Sequence, residues 1–558
     1  MIIDYATNSR KSMFQMEIDK VIHLEEANTL SNFLTKEDRK NIVSLKITGL
    51  IGEKDFDDVL DEMCDADGEY DEDDHFIPDF EITPALRHLD LGEATYVDGD
   101  GMPCFGFHAQ LETFILPKGI TTIGYEETGF SESDMLKNVV LPDGLKTIYG
   151  FNSCPNLSGI VLPNSVEEIK SFAFAGCKAI TYVRIPASVK VIDGSCFADC
   201  DISAFELDKN NPYYSIVEGV IFSKDLSTLV AFPSAFPNKH YVIPETTRII
   251  GFAAFMNAHI DSIDLPKGLK TIGECSFQGS GISSILMPDN VASVGKQAFS
   301  FCLNLEQVRI SKKLVVLPEQ MFSICPKLKD LEVPSSVKSI FYSAIAWCNG
   351  LENLYLHDGL EEIVDEGPLL GVGGKLRSVN FPATLKKVPG GVFNYSPFIK
   401  EFTLDPANPY FKVIDGVLFS KDGKTLCSVP DYNRTSYQVP EGTEVIAERV
   451  FAFLPILQKV KLPSTLKVIE SRAFQGCESL CRLEIPANVE QVDIDSLWAD
   501  NLKIVVMEGS VPPVIKGYIR DDKWRYRNIT LFVPTDAFST YNEAPGWKCF
   551  AVKGMTDF

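Results

Sequence analysis

One pattern returns about every 22 to 25 residues along most of this sequence. It is clearest in LPNSVEEIKSFAFAGCKAITYVR, residues 162–184, which reads L-P-x-x-V-x-x-I-x-x-x-A-F-x-G-C-x-x-I-x-x-V-x. A fixed period of this length is typical of solenoids, in which each repeat is one structural unit that contacts only its neighbours. The sequence therefore predicts one long repeat array, although 558 residues would suffice for several globular domains.

Each repeat contains a six-residue segment of the form L-x-x-L-x-L, beginning with LRHLDL at Leu86. The first, fourth and sixth positions are apolar. Because side chains alternate faces along a strand, we expect the third and fifth positions to lie on the outer face of a parallel main sheet. The second half of each repeat, such as VEEIKSFAFAGC, should return on the opposite side and form a narrower second sheet.

The two ends of the sequence depart from the repeat. Within residues 1–85, TLSNFLTKEDRKNIVSLKITG predicts a short helix near residues 30–38 and a strand over 43–48, and DFDDVLDEMC predicts a helix capped by Asp55. We interpret residues 1–85 as a small α-containing N-terminal cap and 86–501 as the solenoid. Residues 502–558 are interpreted as a C-terminal capping unit, with Trp547 and Phe550 covering the last coil.

Two insertions interrupt the repeat, at about residues 208–244 and 405–440. Their sequences, DKNNPYYSIVEGVIFSKDLSTLVAFP and DPANPYFKVIDGVLFSKDGKTLCSVP, match at a constant offset of 197 residues. Apolar runs on both sides of SKD predict a β-hairpin in each insertion. We expect both hairpins to leave the solenoid on the same side. Their aromatic residues Tyr213, Tyr214, Tyr410 and Phe411 form a candidate binding patch, although packing against the coils explains them equally well.

Charge and hydropathy exclude several classes of function. The net charge is −25 and no basic patch is visible, which argues against nucleic-acid binding. No run of eighteen apolar residues occurs, so we predict no membrane span. The first thirty residues lack the apolar region and cleavage site of a signal peptide. Either the protein is cytoplasmic, or an export signal has been removed from this chain.

Residues suited to catalysis or metal binding do not form a recognisable motif. No G-x-S-x-G, H-E-x-x-H or phosphate-binding glycine loop is present, so we predict no enzymatic activity and no cofactor. The acidic segment CDADGEYDEDDHF lacks the spacing and the terminal Glu of an EF-hand. It is predicted to be a solvated cap loop, with weak calcium binding as the alternative. Its aspartates are Asp65, Asp67, Asp71, Asp73 and Asp74.

Cysteine recurs at one position of the repeat, three residues after the aromatic position or its substitute. Within each run the interval is 23 residues. We predict buried free thiols that stack as a ladder, because a free Cys packs as a small apolar residue with a weak donor. Disulfides between stacked coils are the alternative. The residues concerned are Cys154, Cys177, Cys200, Cys302, Cys325, Cys348 and Cys477.

The unit LPNSVEEIKSFAFAGCKAITYVRIP resembles the BspA-like leucine-rich repeat of surface proteins from gut and oral anaerobic bacteria. The insertion NPYFKVIDGVLFSKDGKTL, the leading SLKITG with LRHLDLGEA, and the closing LFVPTDAFSTY with Trp547 are similar to that family as well. The resemblance covers nearly the whole chain. It implies a curved, right-handed leucine-rich-repeat solenoid, export to the cell surface and adhesion to host or bacterial proteins.

The outward positions of the main-sheet strands are therefore the candidate binding residues. Aromatic residues and Arg are over-represented at binding hot spots. The set is Tyr182, Arg184, Gln307, Arg309, Asp330, Glu332, Asn353 and Tyr355. We expect a monomeric, non-enzymatic cell-surface or secreted protein that binds an extracellular or host protein. The alternatives are a glycan-capturing envelope protein and an intracellular assembly or inhibitor scaffold.

Overall fold

The computed structural model describes residues 18–64, 68–70, 76–78, 85–102, 110–124, 130–364, 374–393, 396–430, 433–517, 526 and 528–557. The described chain forms two compact units, Met1–Ile260 and Asp261–Phe558. Each unit is a β-solenoid, in which the repeats stack as parallel coils with short strands on two sides. The solenoid architecture predicted from the repeat is thus confirmed.

In the first unit, the main sheet begins with five parallel strands and continues with shorter ones. Its strands are Lys20–Leu24, Ser44–Ile51, His88–Tyr96, Thr113–Ile115, Asn138–Val140, Val183–Ile185, Phe205–Leu207 and His240–Val242. The second sheet is narrower, as predicted, because most of its strands have only two residues. They are Gly101–Met102, Thr122–Ile123, Thr147–Ile148, Glu168–Ile169, Val191–Ile192 and Ile249–Ile250, with the strands of the insertion beside them.

The second unit repeats this arrangement over more coils. Its main-sheet strands are Ser262–Asp264, Ser284–Leu286, Gln307–Arg309, Asp330–Val333, Asn353–Leu356, Ser378–Phe381, Glu401–Leu404, Ser436–Gln438, Lys459–Lys461, Arg482–Ile485, Ile504–Met507, Thr530–Val533 and Ala551–Gly554. The second-sheet strands outside the insertion are Thr271–Ile272, Ser293–Val294, Val316–Leu317, Ser339–Ile340, Glu362–Ile363, Val445–Ile446, Val468–Ile469, Gln491–Asp493 and Val514–Lys516.

A ladder of aromatic rings and thiols occupies the interior of both units. Phe151 and Phe174 stack with ring centroids 5.5 Å apart and ring planes within 1° of parallel. The thiol of Cys177 donates a hydrogen bond to the carbonyl oxygen of Phe151, one coil earlier, at 2.9 Å. The same bond joins Cys325 to Phe299 at 3.2 Å in the second unit. All seven predicted ladder cysteines are buried free thiols, so that prediction is confirmed.

Burial changes the acidity of these thiols. It raises the pKa of Cys302 and of Cys477 to about 12. These two thiols therefore remain protonated at neutral pH, and a protonated thiol is what a hydrogen bond to a carbonyl oxygen requires. A buried, protonated thiol of this kind is chemically inert, so the ladder offers no reactive thiolate.

Oppositely charged side chains alternate from coil to coil beside the second sheet. Lys424, Glu444 and Lys467 each lie one residue before a strand of the second sheet. The backbone N–H of Glu444 donates to the carbonyl of Lys424, and that of Lys467 donates to the carbonyl of Glu444. Glu444 contacts Lys424 at 2.7 Å and Lys467 at 2.9 Å. Two equivalent triplets occur elsewhere. One consists of Lys146, Glu167 and Lys190, and the other of Lys338, Glu361 and Lys386. These three sets are called the charge ladders below.

The N-terminal part differs in detail from the sequence prediction. The predicted helix over 30–38 is a 3₁₀ turn, Leu30–Asn32, followed by an α-helix, Lys36–Asn41, because Thr35 caps the helix through a capping box. The predicted strand over 43–48 is Ser44–Ile51. The second predicted helix runs through three consecutive helical segments, Glu53–Asp55, the π-turn Phe56–Leu60 and Asp61–Cys64.

Asp55 is not the N-cap residue of that helix, so this prediction was wrong. It lies inside the first turn, where its buried carboxylate accepts a hydrogen bond from the backbone of Gly52 at 3.0 Å. The same carboxylate accepts backbone hydrogen bonds from Asn28 and Leu30 at 2.7 and 2.8 Å. Asp55 therefore ties the start of the helix to the preceding loop.

Short helical segments also lie near the C-terminus. They are Ile494–Leu497, Thr535–Ala537, Phe538–Glu543, Trp547–Cys549 and Met555–Asp557. Trp547 is fully buried, and its indole N–H donates to the carbonyl of Pro513 at 2.7 Å. Phe550 is buried beside it. Both aromatic side chains thus extend the core to the last described strand.

Both insertions contain the predicted hairpin together with a further strand. In the first unit, Tyr214–Val217, Val220–Ser223 and Thr228–Ala231 form an antiparallel meander. In the second unit, the corresponding strands are Phe411–Ile414, Val417–Ser420 and Thr425–Ser428. The last strand of each meander pairs in parallel with a second-sheet strand. The insertions are therefore built onto the second sheet of their own units. The expectation that both hairpins leave the solenoid was wrong.

We predict that thiol reagents distinguish the ladder from the surface. Of the described cysteines only Cys481 is exposed, and Cys549 is half-buried. Native protein should therefore react quickly at Cys481 and slowly at Cys549, whereas the ladder thiols should react only after unfolding. Mass spectrometry of iodoacetamide-treated protein measures this, with Cys481→Ser as control. Rapid labelling of Cys177 or Cys325 in native protein would contradict the ladder.

A second prediction concerns the charge ladders. The side-chain hydrogen bond from Lys424 lowers the pKa of Glu444, with Lys467 adding to the effect. A carboxyl group whose pKa is lowered by folding stabilises the fold at pH values above its pKa in the unfolded chain. This stabilisation is lost as the pH falls through the pKa of the folded state. Glu444→Gln should lower Tm at neutral pH in low salt, and less so at acidic pH or high salt. Glu508→Gln, at an exposed glutamate outside the ladders, is the control. Equal Tm losses at every pH would contradict the electrostatic explanation.

Candidate functional site

The outer face of the main sheet in the second unit brings together six of the predicted binding residues. Asp330 lies opposite Asn353, and Glu332 lies opposite Tyr355, on two paired parallel strands. Gln307 and Arg309 lie on the strand one coil earlier. All six side chains are exposed, as the alternation of the strands predicted. The name main-face patch is used below for these six residues with Leu286.

Leu286 is a member of this patch that the sequence analysis missed. It lies opposite Arg309 on the paired strand Ser284–Leu286, and 56% of its surface is exposed. An exposed large apolar residue beside Arg on a strand pair is a feature of binding surfaces. The signal was available, because the segment ISSILM carries Leu at the outward fifth position, where most other strands have a polar residue.

Hydrogen bonds between neighbouring coils hold several of these side chains in place. Arg309 donates from Nη2 to the carbonyl of Met287 at 2.9 Å, and Asn353 donates from Nδ2 to Asp330 at 2.6 Å. Glu332 contacts Nε2 of His357 at 2.9 Å. A guanidinium group has five N–H donors, so one anchoring bond leaves Arg309 further donors for a ligand. The patch is therefore a largely preformed mixture of apolar, aromatic and charged groups.

Tyr182 and Arg184, the other two predicted residues, lie in the first unit. The hydroxyl of Tyr182 donates to Glu206 on the adjacent strand. Arg184 contacts Glu206 at 3.4 Å and Asp208 at 3.0 Å. Partial burial, together with Glu206, raises the pKa of Tyr182 to about 12. Both side chains are exposed but already have partners within the protein, which leaves them less available than Arg309 and Tyr355.

An open cleft of about 440 Å³ lies beside Glu206 and Asp208, the partners of Arg184, in the first unit. It lies between the strand Phe205–Leu207 and the first strand of the insertion. Glu206 and Asp208 line the cleft and also bind Arg184. Lys224 lines the opposite side, where its ammonium group donates to the carbonyl oxygens of Asn211 and Tyr214 at 2.8 and 3.2 Å. The cleft is consequently lined by charges that are largely compensated within the protein.

The aromatic residues of the insertions divide into two groups. Tyr213 and Tyr410 are exposed, whereas Tyr214 and Phe411 are buried. The hydroxyl of Tyr214 accepts a hydrogen bond from the backbone N–H of Ile192 and donates to the carbonyl of Lys190, both at 3.0 Å. Tyr214 therefore connects the insertion to a strand of the second sheet. Of the two alternatives left open by the sequence, a binding patch or packing against the coils, the structure supports packing for Tyr214 and Phe411.

Metal ligands are not clustered in the part of the chain that the structure describes, where no group of three His, Cys, Asp or Glu side chains is placed to hold an ion. The aspartates of the acidic segment, at positions 65, 67, 71, 73 and 74, lie outside the described residues. The described helices include none that is long and apolar enough to cross a membrane.

Comparison with known families identifies the repeat. The family model of the BspA type leucine-rich repeat region matches residues 101–223, 231–367 and 431–520, in six copies. These ranges comprise more than half of the chain. The chain is a BspA-type leucine-rich repeat protein. The resemblance noted in the sequence is thereby confirmed.

Solved structures similar to this BspA-type chain come from several bacteria. A leucine-rich cell surface protein of Faecalibacterium prausnitzii is 20% identical, with 62% of this chain and 94% of that chain covered and a TM-score of 0.41. A leucine-rich repeat protein of Bacteroides ovatus is 20% identical, with coverage of 70% and 88% and a TM-score of 0.40. The pneumococcal vaccine antigen PcpA is 19% identical, with coverage of 61% and 95% and a TM-score of 0.36. A comparison with functionally curated proteins gave no significant match.

The hydroxyl of Tyr214 yields a testable prediction. Tyr214→Phe leaves the N–H of Ile192 and the carbonyl of Lys190 without their partner, which costs about 1–3 kcal/mol for a buried group. The amide of Ile192 should then exchange with solvent about tenfold faster or more. Hydrogen exchange measured by mass spectrometry on peptides covering Ile192 tests this. Tyr213→Phe, at an exposed hydroxyl, should leave the exchange unchanged, and equal rates in both variants would contradict the assigned bonds.

Proposed function

We propose that this BspA-type protein is a non-enzymatic binding protein of the cell surface or the secreted fraction, and that it recognises a protein partner through the main-face patch. The observation that carries the proposal is the composition of that patch. Leu286, Arg309, Glu332 and Tyr355 follow one another on four successive strands, all at the outward position of the repeat and all exposed. The BspA-type family to which the repeat belongs supports the proposed location, since such repeats are found in bacterial surface proteins.

Preorganisation supports binding by this face. The strands that carry the patch are fixed by parallel backbone pairing, and Arg309, Asp330 and Asn353 are further restrained by hydrogen bonds within the protein. Because the patch is already ordered before a partner binds, association does not have to restrict its side chains further. This reduces the conformational entropy lost on binding. Multipoint recognition by a rigid sheet is the mechanism that follows.

The chemistry of the patch favours a protein over a glycan. Glycan capture favours several exposed aromatic residues that line a groove, whereas this patch has one aromatic residue among Leu, Arg, acidic and amide groups. Such mixtures suit protein surfaces, where Tyr and Arg carry much of the binding free energy. Carboxylates at Asp330 and Glu332 provide the charge complementarity that selects among partners.

The test is a binding screen against extracellular-matrix proteins and polysaccharides, by biolayer interferometry. For a ligand of the patch, Arg309→Ala and Tyr355→Ala should each raise Kd about tenfold or more, because truncating a hot-spot residue costs at least about 1–2 kcal/mol. Leu286→Ala should weaken binding in the same direction.

Lys459→Ala and Lys461→Ala are matched controls, since both lysines lie exposed on another main-sheet strand of the same unit. They should leave Kd within about twofold. A protein ligand whose affinity is unchanged by all three patch substitutions would refute this choice of face. Polysaccharide binding that depends on Tyr355 would replace the protein partner with a glycan.

A further inference from the structure

A second exposed surface lies on the turn that leads into the main sheet of the second unit. Phe301, Ile324 and Trp347 occupy the same position of three consecutive coils, 23 residues apart. Phe301 is 46% exposed and Trp347 45% exposed, while Ile324 is half-buried between them. Leu303, next to Phe301, is 54% exposed. These four residues are called the turn stripe.

The backbone of the stripe is in a conformation that bulky side chains disfavour. The φ angles of Phe301, Ile324 and Trp347 are 58°, 59° and 61°, in the left-handed region. Apolar and β-branched residues are rare there, because the side chain crowds the backbone. Apart from Phe453, equivalent positions in the other described coils carry small or polar residues. They are Glu132, Ser153, Gly176, Asp199, Asn257, Gly279 and Gly476.

Their exposure distinguishes the stripe residues Phe301 and Trp347 from Phe453. Phe453 has the same backbone conformation, but its ring covers Gly476, where an added Cβ would lie 2.5 Å from the ring. Phe301 and Trp347 instead expose nearly half of their surface. Residues kept in strained conformations tend to mark functional sites, and exposed apolar clusters tend to mark interfaces. The stripe combines both properties on three adjacent coils.

The spacing of the coils indicates which shape of partner fits. Backbone hydrogen bonds from Phe301 to Ser323 and from Ile324 to Ala346, both 2.8 Å, set the stripe residues one coil apart, or about 4.8 Å. An α-helix lying along the stack presents one residue per turn, about every 5.4 Å. Over two steps this spacing departs from the coil spacing by only about 1 Å. Alternate residues of an extended strand are about 6.7 Å apart, so the mismatch is about 4 Å.

Charges beside the stripe argue against a second copy of the chain. Glu306, Lys329 and Glu352 stand five residues after the three stripe positions, and all are exposed, although Glu352 also contacts Lys375 at 3.3 Å. A two-fold axis through Ile324 that runs across the stack would place Glu306 against Glu352 of the other copy and Lys329 against itself. The stripe also exposes only on the order of 400 Å² of apolar surface, about half of what each side of a stable interface buries. A smaller partner of complementary charge fits better.

We propose that the turn stripe binds an amphipathic α-helix of another protein. Apolar residues at i, i+4 and i+7 of that helix lie on Phe301, Ile324 and Trp347. One flank of the helix carries Lys, Glu and Lys in successive turns, opposite Glu306, Lys329 and Glu352. This surface goes beyond the main-face patch and does not depend on it.

The test uses a synthetic helical peptide with leucines at i, i+4 and i+7 and a Lys–Glu–Lys flank, labelled for fluorescence anisotropy. The control peptide has the flank reversed to Glu–Lys–Glu. The full chain should bind the first peptide at least fivefold more tightly at low salt. Phe301→Asn and Trp347→Asn should each weaken that binding about tenfold, whereas Arg309→Ala and Tyr355→Ala should leave it unchanged.

Thermal unfolding separates binding from packing. Asn tolerates the left-handed conformation and stands at the equivalent position 257, so Phe301→Asn and Trp347→Asn should keep Tm or raise it by about 1–3 °C. Phe453→Asn, the matched control, should lower Tm and leave peptide binding unchanged. Lower Tm in both stripe variants, or equal affinity for the two peptides, would overturn the proposal. Sedimentation that shows a dimer lost in Trp347→Asn would also overturn it, in favour of a second copy.

Discussion

The stacking of one coil on the next is supported by two internal contacts, aromatic ring on aromatic ring and thiol to carbonyl oxygen. Each ladder ring lies about one coil spacing from its neighbours, and each ladder thiol donates to the carbonyl beside the ring of the coil before it. Together the two contacts fill the interior and satisfy a buried carbonyl. Because raised thiol pKa values keep the donors protonated, the bond persists over the physiological pH range. Short two-residue strands suffice for the second sheet because this interior holds the coils in register.

An interior fixed in this way frees the outer positions to vary. The main-face patch and the turn stripe use different positions of the same repeat in the same unit, and neither contributes to the core. Leu286 and Trp347 show what this freedom permits, since one replaces a polar outward residue and the other replaces a small residue of a tight turn. Recognition can therefore change by substitution at such positions while the coil remains intact.

The sequence predicted most of the architecture, because repeated apolar positions reflect burial directly. The period identified the coils, the L-x-x-L-x-L segments identified the strands, and the spacing of Cys177 and its equivalents identified buried thiols. Features that depend on backbone conformation were missed. The pattern has Gly at the position of Trp347, but it does not reveal that φ is positive there. The first strand of each insertion was missed too, since Tyr214 reads as an exposed aromatic until its bonds to Ile192 and Lys190 are seen.

The charge ladders have a consequence for how such a protein changes in length during evolution. Lys and Glu alternate from one coil to the next, as at Lys338, Glu361 and Lys386. Loss of the middle coil, or gain of one coil that repeats the charge beside it, would place like charges next to each other on adjacent coils, which is destabilising. Gain or loss of two coils preserves the alternation. Within the ladders, repeat number is thus subject to a parity rule that favours duplication of coils in pairs.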